Sequence, residues 1–210
     1  TQLEKSGISF QRAFDAASQL ISETDLKNAV VVKKEQLTLF FAMHFFSSRT
    51  KYTSLDKPMQ KDVRLHFGSM AQAEKKAKNL LFSLGNEDLI YEDSYKSVDL
   101  ELGQVKDGKF SFQYKNLKNL PIRLKAVISV AERFAGAIEG ANIIRIHIET
   151  KKVTYLSIPD FDSSPLPRIV KRSIVDFRFH DVRNISHDQD GRVKTLYLKS
   201  GLMSSKDKNF

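Results

Sequence analysis

The spacing of apolar residues changes near residue 97, and this change limits the folds open to the chain. Before it, apolar residues such as Phe10, Phe14 and Ala17 recur every three or four positions, which places them on one side of an α-helix. After it, the segments VDLELGQV and KFSFQYKN alternate apolar and polar residues, which is typical of strands with one buried face. The sequence therefore predicts an α+β fold, in which a helical N-terminal half is followed by a small antiparallel sheet carrying a helix.

Caps and turns divide the chain into elements. We expect helices over about 10–21, 33–47, 57–68, 70–84 and 121–138, because cap or breaker residues flank these periodic stretches. Two hairpins are expected, one turning at Asp107-Gly108 and one through the loop 149–152, with further strands over about 173–179 and 192–199. The predicted organisation is a helical region, 1–95, an α+β region, 96–200, and a frayed tail, 201–210.

Charge is the compositional property that bears most on function. The chain holds 34 basic and 25 acidic residues, a net charge of +9. Residues 27–78 contain eleven lysines and arginines against four acids, whereas 79–101 contain one lysine against six acids. A basic field beside an acidic strip favours binding of a polyanion, and nucleic acid is the commonest such partner. The chain has no cysteine and no apolar run long enough to span a membrane, so we expect a cytoplasmic protein without a membrane partner.

Four residues form the best candidate for a catalytic site. Asp160 and Asp162 follow a predicted strand in the segment IPDFD, and two carboxylates so spaced can hold a divalent cation. Glu149 and Lys151 could complete a metal-dependent nuclease, in which the lysine supports the attacking water. In nucleases of that kind the Pro-Asp pair normally precedes the Glu-x-Lys strand, whereas here it follows. The competing interpretation is a turn, with the aspartates bonded to backbone and Phe161 tucked beneath.

Other catalytic and cofactor patterns are missing from the sequence. The five histidines lack metal-ligand spacing, and neither of the glycine-rich loops that bind dinucleotides or nucleoside triphosphates occurs. His180-Asp181 has no serine in a nucleophile elbow to complete a triad. We therefore predict no cofactor, no metal and no enzymatic activity.

Basic residues near predicted strands and helices form the candidate nucleic-acid contacts. Alternation places Arg172, Asp176 and Arg178 on one strand face, and Arg145 with His147 and Glu149 on another. A solvated surface is the alternative for both groups. The full candidate set is Lys57, Lys61, Arg64, Lys75, Lys76, Arg145, Lys151, Lys152, Arg168, Lys171, Arg172 and Arg178.

Three stretches carry a family resemblance: KKEQLTLFFAMHFF, LDKPMQKDVRLHFGSMAQAEKKAKNLLFSLGN and LPIRLKAVISVAERFAGAIEGANIIRIHIETKKVTYLSIPDFDSSPLP. Together, over roughly Lys33 to Pro167, they resemble the C-terminal portion of the DNA phosphorothioation-associated methyltransferases. That family acts beside proteins that replace a non-bridging phosphate oxygen of DNA with sulfur and restrict foreign DNA. Its glycine-rich cofactor loop has no counterpart in this sequence, so the resemblance implies an accessory module without the methyltransferase activity.

Three functional hypotheses follow. The first is a non-catalytic DNA-associated accessory or targeting module of a bacterial DNA-modification and restriction system that serves in phage defence. The second is a metal-dependent nuclease built on Asp160, Asp162, Glu149 and Lys151. The third is a protein-interaction module, in which the acidic strip 79–101 and apolar helices dock a companion DNA-modification protein.

Overall fold

The structure is a computed structural model, and it describes residues 7, 9–47, 51–136, 138–187, 194–197 and 199–204. Six α-helices lie in this part of the chain. They are α1 (Phe10–Leu20), α2 (Glu23–His44), α3 (Lys57–Phe67), α4 (Met70–Ser83), α5 (Glu87–Asp99) and α6 (Ile122–Ala135). Short 3₁₀ segments occur at Tyr52–Ser54, Tyr114–Asn119 and Lys199–Leu202.

Side-chain caps explain where most of these helices begin. Ser22, Asp56, Ser69 and Asn86 each accept a hydrogen bond from a backbone N–H in the first turn that follows, and such caps satisfy donors that the helix itself leaves unpaired. Helix α3 ends at Gly68, whose φ of 76° lies in the left-handed region that glycine tolerates. The predicted N-caps Asp56 and Ser69 are confirmed.

The strands form one main antiparallel sheet and one small pair. The main sheet contains β1 (Gly103–Lys106), β2 (Lys109–Gln113), β3 (Ile143–His147), β4 (Lys152–Ser157), β6 (Lys171–Asp176) and β7 (Asp181–Ser186), in the order β1-β2-β3-β4-β6-β7. The pair consists of β5 (Arg168–Ile169) and β8 (Lys194–Thr195). Asp107 and Gly108 both have positive φ in the first hairpin turn, which confirms the predicted Asp-Gly turn.

The core lies in layers on either side of α6. One face of the main sheet packs against α5 and α6 through residues such as Ile144, Tyr155 and Ile128. A second cluster joins α2, α3 and α4 and includes Ala126 of α6. Helices α2, α3 and α4 therefore lie beyond α6, and the opposite face of the sheet is turned away from them.

The α+β class, with its helical half followed by an antiparallel sheet, is confirmed. Several boundaries were wrong. Helix α2 begins at Glu23, about ten residues earlier than expected. Helix α5 was not predicted, and it extends across the expected start of the strand region, so that β1 begins only at Gly103. Strand β7 was also missed.

The expected tail is partly ordered. Leu202 and Met203 are buried against one end of the sheet surface that is turned away from α6, beside Ile143 and Leu156 of the central strands β3 and β4. Gln113 Nε2 donates to the Leu202 carbonyl at 2.7 Å. The prediction of a frayed tail was therefore wrong for residues 201–204, because two apolar side chains anchor this segment. Residues 205–210 lie outside the described part, as does most of the strand expected over 192–199, of which 194–195 pair as β8.

Candidate anion-binding face of the sheet

The sheet surface turned away from α6 carries mostly polar side chains. Cross-strand partners share a face, and the register aligns Ser111, Arg145, Thr154 and Ile174 in one row. The row on one side adds Lys109, His147, Lys152 and Asp176. In the row on the other side, Arg172 lies next to the buried apolar residues Leu156 and Ile143. We call this surface the polar face; its residues are Lys109, Ser111, Arg145, His147, Lys152, Thr154, Arg172, Ile174, Asp176, Asp181 and Arg183.

Two half-buried guanidinium groups occupy the middle of the polar face. Arg145 Nε donates to Ser111 Oγ at 3.0 Å, and Arg172 Nε is buried without a hydrogen-bond partner. Neither arginine makes an ion pair within the described part of the chain. Burial, and then the nearby Arg172 charge, lower the pKa of Arg145. Partly buried like charges without a counter-ion are costly to a fold, and an external anion would relieve that cost.

The carboxylates of the polar face are already engaged by other cations. Lys152 Nζ lies 2.8 Å from Asp176 Oδ2, and Arg183 Nε lies 3.0 Å from Asp181 Oδ2. The hydrogen bond from Lys152 is the main reason that the pKa of Asp176 falls below its usual value. Because these pairs neutralise one another, the net positive charge of the face comes from Lys109, Arg145 and Arg172.

The pKa of His147 reflects the positive electrostatic potential of this surface. Its Nε2 is 2.9 Å from Thr154 Oγ1. Burial lowers the pKa of His147 to about 4, and the charges of Arg145, Lys109, Lys152 and Arg172 add to the effect. The imidazole is therefore neutral near pH 7, in a potential that repels a further positive charge.

The depressed pKa of His147 predicts a pH-dependent stability. The unfolded chain binds a proton at this residue near pH 6.5, whereas the folded chain binds it only near pH 4. Protons then favour the unfolded state between these values, so the free energy of unfolding should decrease as pH falls through that window. Urea denaturation of the wild type and of His147→Gln at several pH values measures the difference. Identical pH profiles would show that His147 is not the cause.

The four catalytic candidates do not form one site. Glu149 and Lys151 lie in the turn before β4, and Asp160 and Asp162 follow its other end. A six-residue strand is roughly 20 Å long, so the two pairs are too far apart to share a metal ion. Within the described residues, no group of three or more His, Asp or Glu could hold one.

Each half of the proposed nuclease site has a structural role instead. Glu149 accepts a hydrogen bond from Tyr91 Oη at 3.0 Å, and Lys151 Nζ lies 2.9 Å from Glu87. Asp160 Oδ1 accepts from the Arg168 backbone N–H at 2.9 Å, and Phe161 is buried. The turn interpretation of IPDFD therefore fits the geometry.

The predicted nucleic-acid contacts fall into four places. Arg145, Lys152 and Arg172 share the polar face. The others do not join them: Arg168 and Lys171 lie near one end of the sheet, and Lys151 and Arg178 lie at the opposite end, where Arg178 donates to the Glu149 carbonyl. Five more lie on α3 and α4, beyond α6 and away from the polar face: Lys57, Lys61, Arg64, Lys75 and Lys76.

Sequence reasoning missed part of the polar face. Lys109 and Ser111 in β2, and Thr154 in β4, alternate with apolar neighbours, and this spacing could have placed each of them on the polar side of its own strand. Arg183 could not be placed, because β7 was not predicted.

A concave region lies on the helical side of the sheet, at the end where His147 and Lys152 also line it. It is an apolar cavity of about 480 Å³, within the usual size range of small-ligand sites. The lysines at its rim, Lys151 and Lys152, are each paired with a carboxylate. Its apolar lining includes Leu81, Leu84, Ile90, Val127, Ile146 and Phe177.

Comparisons of the chain with protein-family models, with curated proteins and with solved structures gave no match. None of the helices in the described residues is long and apolar enough to cross a membrane.

Proposed function

We propose that this chain is a non-catalytic DNA-binding module whose polar face contacts the phosphate backbone. The observation that carries the proposal is the pair Arg145 and Arg172, two half-buried guanidinium groups without a carboxylate partner in the described part of the chain.

Phosphate is an anion that these groups fit well. A guanidinium presents a planar set of donors that matches two phosphate oxygens, and its partial burial strengthens the interaction. Two such groups on neighbouring parts of one surface fit a ligand with repeated phosphates. The net charge of +9 adds a long-range attraction to a polyanion.

Contacts of this kind position DNA without reading its sequence. The role that fits is an accessory one, in which this chain holds DNA for a partner that performs the chemistry. The resemblance to phosphorothioation-associated methyltransferases supports a place in a bacterial DNA-modification and restriction system, with companion DNA-modification proteins as the partners.

Fluorescence anisotropy with a short labelled duplex tests the proposal. Counterion release makes phosphate binding salt-dependent, so affinity should fall at least about tenfold between about 50 mM and about 200 mM salt. Two duplexes of unrelated sequence should bind alike. Absence of binding at low salt, or affinity that does not change with salt, would contradict the proposal.

A further inference from the structure

The N-terminal part of the chain projects from the body of the protein. Every side chain from residue 21 to residue 34 is exposed, and burial begins only at Leu37. In α1, all described side chains are exposed or only partly covered. We call residues 11–34 the arm.

The arm exposes more apolar surface than an isolated helix in water can support. A free helix of about 12–15 residues is marginally stable, and the β-branched run Val30-Val31-Val32 lowers its helical propensity further. The apolar side chains left exposed on the arm are Phe14, Leu20, Ile21, Leu26, Val30, Val31 and Val32.

One apolar stripe runs from the body into the arm along α2. Leu37 and Phe41 are 4% and 2% exposed inside the helical core, whereas Leu26 and Val30 are 59% and 47% exposed. In chain order these four residues are separated by four, seven and four positions, and this spacing keeps all of them on one side of the helix. The same stripe that packs against other helices at one end is bare at the other.

We propose that a second copy of this chain covers the arm, with the two α2 helices antiparallel about a two-fold axis near residue 28. This register sets Leu26 of one copy against Val30 of the other. It also sets Glu23 of one copy at the level of Lys33 of the other, so apolar and charged groups match at the same time. A two-fold contact repeats each pair twice.

The charged groups of the arm are placed to serve this contact. Glu23 lies near the start of α2, 2.7 Å from Lys27, and both side chains are largely exposed. Lys33 contacts Asp62 of its own chain at 3.0 Å and keeps 47% of its side chain exposed. In the dimer it would lie between Asp62 and the Glu23 of the second copy.

Analytical ultracentrifugation of the whole chain tests the association. The wild type should sediment as a dimer at micromolar concentration. The variant Leu26→Asp/Val30→Asp should dissociate at least about tenfold more readily, because the dimer would bury unpaired carboxylates. Leu65→Asp is the matched control, since Leu65 is 78% exposed on α3 outside the arm. A monomeric wild type, or a double variant that dimerises like the wild type, would overturn the proposal.

Disulfide cross-linking tests the orientation, because the chain has no cysteine of its own. A mixture of Glu23→Cys and Lys33→Cys chains should form mixed cross-linked dimers in preference to those of either variant alone. Preferential cross-linking of each variant to itself would indicate parallel helices and overturn the antiparallel register.

Discussion

Replacing both Arg145 and Arg172 with Gln is expected to weaken DNA binding about a hundredfold, since each charge-assisted hydrogen bond contributes about 1.5–3 kcal/mol. The same change should stabilise the free protein by about 1 kcal/mol, because it removes two half-buried like charges that lack a counter-ion. Opposite effects on binding and on folding are typical of groups held in place for a ligand.

Anisotropy and urea denaturation on the same preparations measure both effects. Lys75→Gln/Lys76→Gln removes the same number of charges from α4, on the far side of α6, and should change DNA affinity much less. If the arginine variant bound DNA as the wild type does, or if the α4 variant lost as much affinity, the polar face would not be the binding surface.

Replacing Arg123 with Met is expected to lower the free energy of unfolding by about 3 kcal/mol, because it leaves a buried carboxylate unpaired. Arg123 Nε and Nη2 each lie 2.7 Å from an oxygen of Asp93, and the two side chains are 23% and 6% exposed. This pair joins α5 to α6. The acidic strip 79–101 thus contributes to the fold through Asp93, and docking of a partner by this strip stays a prediction.

Urea denaturation monitored by circular dichroism measures the change in the free energy of unfolding. Lys96→Met is the matched control, since Lys96 pairs with Glu92 on the same helix at the surface, and exposed pairs contribute less than about 1 kcal/mol. Equal decreases in the free energy of unfolding of the two variants would contradict a structural role specific to the Asp93–Arg123 pair.

The sequence predicted most helices and hairpins because their buried positions are apolar. Helix α5 escaped prediction for the opposite reason: its buried positions include Asp93, Ser94 and Ser97, so it has little hydrophobic periodicity. The polar side chains there are satisfied by Arg123 and by backbone carbonyls of the preceding turn. Such pairing depends on a neighbouring helix and cannot be predicted from local sequence patterns.

The candidate site was predictable only within single strands. Alternation correctly placed Arg145 and His147 on one face of β3. That Arg172 lies on the same surface depends on β6 pairing with β4, and strand order is a long-range property. The two pairs of proposed nuclease residues are close in sequence, but the length of β4 separates them in space.

The salt dependence of DNA binding in the arginine variant tests the central claim most directly. Each phosphate contact contributes about one unit to the slope of log K against log salt concentration. The account predicts that Arg145→Gln/Arg172→Gln reduces the magnitude of the wild-type slope by about two, while Lys75→Gln/Lys76→Gln leaves it unchanged. An unchanged slope in the arginine variant would show that the polar face does not contact DNA phosphates.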